Sequence, residues 1–224
     1  MTVRLTRRQF LECSAAVAVP LRWRRGAASL AVTGAREQLV LDLGPHCSLR
    51  ESLAGYAAAM EGRALRTDMS SVAGCAVLIV PAALEISPSA VRAITACLEA
   101  GGLVMLESGA GFASERDLSR HRAVVRDAFQ VHVESPIDLW PEAKGSATPY
   151  VDFTWPLAAK VRDFSRVVPL ASEAGEIIAR VNGLVVGLNC PFGRGNLIVL
   201  GSPLGPALWA GDVEARQWLR AVIC

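Results

Sequence analysis

The chain has 224 residues, 52% of them apolar and 6% aromatic, with 23 Lys and Arg against 21 Asp and Glu. That length suits one α/β domain with a buried core of Ala, Val and Leu, and no repeat, low-complexity tract or second domain is visible. The charge is uneven: six arginines and one acid lie up to Ala35, leaving 17 basic against 20 acidic residues, so no basic patch argues for nucleic acid.

Near its start the chain carries Thr6-Arg7-Arg8-Gln9-Phe10-Leu11 and a run of small residues from Ser14 to Val19. The arginine pair, Arg7 and Arg8, with Phe10-Leu11 and that run, resembles a twin-arginine export signal, which is an address and not part of the fold. The apolar run 13–21 is broken by Pro20 and falls far short of the ~20 residues that a membrane-spanning helix needs. Glu12 before Cys13 argues against a lipoprotein, and small residues around positions 29–35 offer a cleavage point. The expected plan is an export signal over 1–35 and one domain over 36–224. The translocase is then a partner, and the expected location is periplasmic or extracellular.

In the domain, Gln38-Leu39-Val40-Leu41 predicts a strand, and Ser48 caps a helix reaching about Gly62. A short strand follows at 64–67. The continuous apolar run 75–81 predicts a strand covered on both faces. Ser87-Pro88 opens the next helix, with Val91, Ile94 and Leu98 as its buried stripe and Gly101-Gly102 at its end. Residues 103–109 predict another buried strand feeding a glycine turn, and 118–129 a helix. The segment 135–156 is expected to be irregular. Asn182-Gly183 between two β-like runs predicts a hairpin, and a final helix is expected from about Asp212. This alternation predicts an α/β three-layer sandwich around a mostly parallel, doubly wound sheet, with a C-terminal β-hairpin region.

Two segments carry a family resemblance: Val77 to Leu106, with Gly101-Gly102 inside it, and Gly193-Arg194-Gly195 leading to Gly201-Ser202-Pro203. In strand–helix order and glycine placement they resemble class I glutamine amidotransferase-like, flavodoxin-like domains. The resemblance implies a nucleophilic cysteine where this chain has Glu107 and a catalytic histidine where it has Ser202. With thiol and base both missing, covalent amide hydrolysis loses its chemistry, and no catalytic residue, cofactor or metal is expected.

Ligands in open α/β sheets bind beyond the carboxyl ends of strands, which gathers His46, Glu107, Ser108, Gly109 and Ser202 as candidate ligand-binding residues. Tyr150 and Trp155 join them as loop aromatics able to line a sugar or partner site, with Trp140 and Trp209 as possible companions. The alternative at that loop is that Phe153 and Trp155 plug the core. Of the other histidines, His121 sits among Arg116, Arg120 and Arg122 on an expected solvated helix face, and His132 alternates with valines. Six cysteines, at 13, 47, 75, 97, 190 and 224, show no Cys-x-x-Cys spacing. Cys75 and Cys97 read as small buried hydrophobes. The expected function is an exported, non-catalytic domain binding a partner protein or a small ligand. Its rivals are a hydrolase using Glu107, Ser108 or His46, and an accessory subunit of an exported redox complex.

Overall fold

The computed structural model describes residues 37–43, 50–60, 65–66, 72, 75–139, 149–163, 166–173 and 175–224. The export signal expected over 1–35, with Arg7 and Arg8, lies outside them, as do His46 and Trp140.

The strands in chain order are β1 (Gln38–Leu41), β2 (Leu65–Arg66), β3 (Val77–Ala83), β4 (Leu103–Ser108), β5 (His132–Val133), β6 (Ile137–Asp138) and β7 (Tyr150–Phe153). They continue as β8 (Ala159–Arg162), β9 (Arg166–Val167), β10 (Leu170–Ala171), β11 (Glu176–Val181), β12 (Leu184–Phe192) and β13 (Gly195–Leu200). The helices are α1 (Arg50–Ala59), α2 (Pro88–Glu99), α3 (Glu115–Phe129), α4 (Gly205–Trp209) and α5 (Val213–Ile223).

Nine strands form one sheet in the order β2-β1-β3-β4-β13-β12-β11-β7-β8. Pairing is parallel from β2 through β13 and antiparallel from β13 through β8. The expected three-layer sandwich with a mostly parallel, doubly wound sheet is therefore corrected to a mixed sheet, parallel in one half only. Connection length is the cause. A parallel crossover needs about a dozen residues or more, whereas Asn182-Gly183 and Gly193-Arg194 are two-residue turns that can only fold a strand back on its neighbour.

Alternation along the inner strands divides the core. Leu39, Leu41, Leu78, Val80, Leu106 and Val199 pack with Ile94 and Leu98 of α2 and Val125 and Phe129 of α3. Val40, Ile79, Met105 and Ile198 face the other way, onto Tyr56 of α1, Leu208 of α4 and Trp218 and Leu219 of α5. Both faces of these strands are covered, which explains their uninterrupted apolar runs. The helix starts follow local chemistry: Ser87 Oγ accepts from the Ala90 N–H at 3.2 Å, and Asp212 Oδ1 from the Ala215 N–H at 3.0 Å.

The segment expected to be irregular holds β6 and β7. In β7, Val151 and Phe153 point inward while Tyr150 and Asp152 point out, the period-two pattern of a half-buried strand. Of the two readings for the aromatic loop, Phe153 plugs the core, its ring 4.3 Å from that of Trp218. Trp155 packs against the same cluster, and its carbonyl accepts from Trp218 Nε1 at 2.8 Å. Tyr150 remains 46% exposed on the outer face of β7.

Candidate functional site

Glu107 stands at the carboxyl end of β4 and is completely buried. Four donors from three other elements meet its carboxylate. The Tyr56 hydroxyl of α1 donates to Oε1 at 2.5 Å, and the Leu204 N–H donates to the same oxygen at 2.7 Å. The Ala82 N–H of β3 donates to Oε2 at 3.0 Å, and the Gly205 N–H adds a fourth bond. Helix α4 has no side-chain cap of its own, so Glu107 supplies from afar the acceptor that its first amides need. Ala82 carries a positive φ of 39° at the point where β3 slips register against β4. Its bond to Glu107 helps hold that unfavourable backbone in place.

Burial pushes the Glu107 carboxyl up to about 7, against the lowering effect of its hydrogen bonds. The same burial, reinforced by the neighbouring carboxylate, holds the Tyr56 phenol well above its ordinary range, so Tyr56 stays a donor. This is an internal staple, and no open face of Glu107 is left for a ligand.

The other strand-end candidates are similarly engaged. Ser202 is 5% exposed, and its hydroxyl donates to Asp163 Oδ1 at 2.8 Å. The buried Gly109 N–H donates to the Ala83 carbonyl at 2.8 Å. Ser108 is also buried, with Oγ 3.0 Å from Nε2 of His121. The expectation that His121 lies on a solvated face is corrected: it is 2% exposed. The signal was in the spacing, since Leu118, His121, Val125 and Phe129 form the buried stripe of α3. Burial pulls the imidazole down to about 4, with the Leu84 carbonyl opposing weakly. No group meets Nδ1 in hydrogen-bond geometry. The histidine is thus neutral near pH 7.

His121 lines a cleft of about 810 Å³ between α2 and α3, with Leu84, Ile86, Pro88, Val91, Phe112 and Val124 as apolar walls. Phe112 tilts over the imidazole, ring centres 5.2 Å apart. Asp117, Arg120 and Asp127 also line it; Arg120 and Asp127 are exposed and Asp117 is half-buried. The loops that follow β3 and β4 form one end of this cleft, which places it at the carboxyl edge of the parallel strands. Of the sequence candidates, Glu107, Ser108, Gly109 and Ser202 are buried beneath that edge, and Tyr150 and Trp155 belong to the antiparallel half. None of them lines the cleft. Among the described residues, no group of three His, Cys, Asp or Glu is placed to hold a metal ion, and no helix is long and apolar enough to cross a membrane.

No family model matches the chain, and no curated protein matches it. Its fold is shared with solved glycosidases. The β-galactosidase of Bacillus circulans sp. alkalophilus superposes with a TM-score of 0.62 at 17% identity, covering 84% of this chain and 30% of that one. Alpha-L-fucosidase isoenzyme 2 of Paenibacillus thiaminolyticus gives 0.58 at 11% identity, over 84% of this chain and 32% of that one. A cytoplasmic protein of Salmonella typhimurium LT2 gives 0.59 at 11% identity, over 84% of this chain and 98% of that one. The chain thus spans about a third of the length of these glycosidases, and at such identities the likeness is one of fold alone. These neighbours overturn the expected membership among amidotransferase-like, flavodoxin-like domains: glycine placement and strand order were too general to choose a family, and the fold found is the mixed sheet present in glycosidase chains.

Proposed function

We propose that this chain is a non-catalytic binding domain, and that a small organic molecule with an apolar body occupies the α2–α3 cleft. The observation that carries this reading is Glu107. Fully buried and met by four internal donors, it leaves neither a free acid nor a nucleophile at the strand ends, while the cleft beside it stands open. Concave sites of ~300–1,000 Å³ with apolar walls and few polar groups are the usual form of small-molecule pockets. The Ser108–His121 pair favours a hydrolase only superficially. Ser108 is only 1% exposed, no carboxylate orients the imidazole through Nδ1, and the Gly109 amide that could steady an oxyanion is already bonded.

Melting of the full chain against a panel of small aromatic and aliphatic alcohols, acids and sugars tests this. A ligand at about 100 times its Kd is expected to raise the midpoint by roughly 5–10 °C. Ala123→Trp, which fills the cleft from α3, is expected to abolish that rise. A shift that survives this substitution places the ligand elsewhere. Turnover of nitrophenyl glycosides or simple amides that Ser108→Ala abolishes would overturn the non-catalytic reading. Export through the twin-arginine route is proposed on Arg7 and Arg8: replacing both with Lys is expected to leave the chain in the cytoplasmic fraction, and unchanged export would exclude that route.

A further inference from the structure

Cys75 lies just before β3 and Cys97 in the last turn of α2. Their sulfur atoms are 3.1 Å apart, closer than two sulfurs in simple van der Waals contact. Both residues are buried, Cys75 at 4% exposure and Cys97 at 0%. Gly102 leaves room for the Cys97 sulfur: a Cβ there would lie 2.5 Å from Cys97 Sγ and 3.0 Å from the Cys75 carbonyl. Any larger residue at 102 would displace the Cys97 sulfur. Among the described residues the other two cysteines are Cys190, buried, and Cys224, exposed. Reading Cys75 and Cys97 as two independent hydrophobes is therefore incomplete, because the fold brings their reactive atoms together.

We propose that Cys75 and Cys97 are a disulfide-forming pair, whose oxidation by a small-molecule disulfide clamps the segment entering β3 to the end of α2. The step balances as thiol–disulfide exchange. The Cys75 thiolate attacks one sulfur of the oxidant and releases its first thiol. The Cys97 sulfur, losing its proton, then attacks Cys75 Sγ and releases the second. Two protein thiols are oxidised, one external disulfide is reduced, and the sulfurs close by about 1 Å to reach bonding distance. The neighbouring thiol holds Cys75 below its ordinary range and Cys97 above it, which makes Cys75 the attacking partner. The pair joins the segment entering β3 to α2, outside the lining of the cleft, and is independent of what occupies it. An oxidising compartment would favour its closed form.

The test uses the full chain equilibrated with reduced or oxidised glutathione, then acid-quenched, unfolded, alkylated and mapped by mass spectrometry. The expected result is a peptide cross-linked through Cys75 and Cys97, and a melting midpoint roughly 5–10 °C higher in the oxidised form. The difference in midpoint is expected to vanish in Cys97→Ala. Recovery of both residues alkylated after oxidation, while the exposed Cys224 has reacted, would overturn the proposal. So would a cross-link joining either of them to another cysteine. If Cys97→Ala fails to fold, the peptide map of the unaltered chain decides alone.

Discussion

Replacing Glu107 with Ala is expected to destabilise the domain by about 3–5 kcal/mol, among the largest effects of any single change here. The substitution strands the Tyr56 hydroxyl and the Ala82, Leu204 and Gly205 amides in a site with no water to receive them, and it opens a cavity between α1, β3 and α4. Glu107→Gln keeps the volume but turns an NH2 toward one set of donors, for an expected loss of about 1–3 kcal/mol. Glu107→Gln also separates from the unaltered chain on pH. Burial raises the folded pKa of Glu107 to about 7, above its value in an unfolded chain. A group raised in this way contributes stability that is fully present below the unfolded pKa of ~4.3 and is lost as pH rises through the folded one. Between about pH 4.5 and 7 the unaltered chain is therefore expected to lose on the order of 3 kcal/mol relative to Glu107→Gln, which has no such proton to release. Urea titrations of both proteins at pH 5 and pH 8 measure this difference. A difference independent of pH would mean that the carboxylate is already ionised at pH 5.

Gly205→Ala is expected to cost about 3–4 kcal/mol for a reason unrelated to charge. A Cβ at 205 would lie 2.2 Å from Ser52 Cα and 2.5 Å from the Ser52 carbonyl oxygen, and one at Gly55 would lie 1.9 Å from the Gly205 carbonyl. Each obstacle is backbone, so neither can swing aside as a flexible side chain would. The α1–α4 crossing must open, drawing the Leu204 and Gly205 amides away from Glu107. Gly183→Ala provides the contrast. There φ is 83° and nothing lies within 4 Å, so only local strain remains, at about 1 kcal/mol. Equal losses at positions 183 and 205, measured by thermal or urea unfolding, would show that the crossing yields more easily than its geometry implies.

The strands and helices that pack on both faces of the parallel half were legible because their apolar periods are strong and their caps are local, as at Ser87-Pro88 and Asp212. The antiparallel half was less so. Its edge strand β8 has four residues, and β9 and β10, which pair with β6 and β5 in two-stranded sheets of their own, have two each; such short pieces derive their stability from neighbours far along the chain. Glu107 was singled out as a strand-end residue, but its role was not readable, since its partners lie 25 to 98 residues away. His121 could have been found from the stripe it shares with Leu118 and Val125, had its arginine neighbours not suggested a solvated face. The pairing of Cys75 with Cys97 depends on β3 and α2 docking side by side, which no local spacing encodes.

Residue-resolved hydrogen exchange of the Ala82 and Leu204 amides at neutral pH is the most direct test of whether the strand-end carboxylate is a sealed structural staple. A sealed carboxylate predicts that both amides exchange only through global unfolding, as slowly as the core amides of β3 and β4, and that Glu107→Ala releases them. Exchange of either amide at the rate of an open loop in the unaltered chain would contradict it, and would reopen the strand end as a place where a substrate could reach an acid.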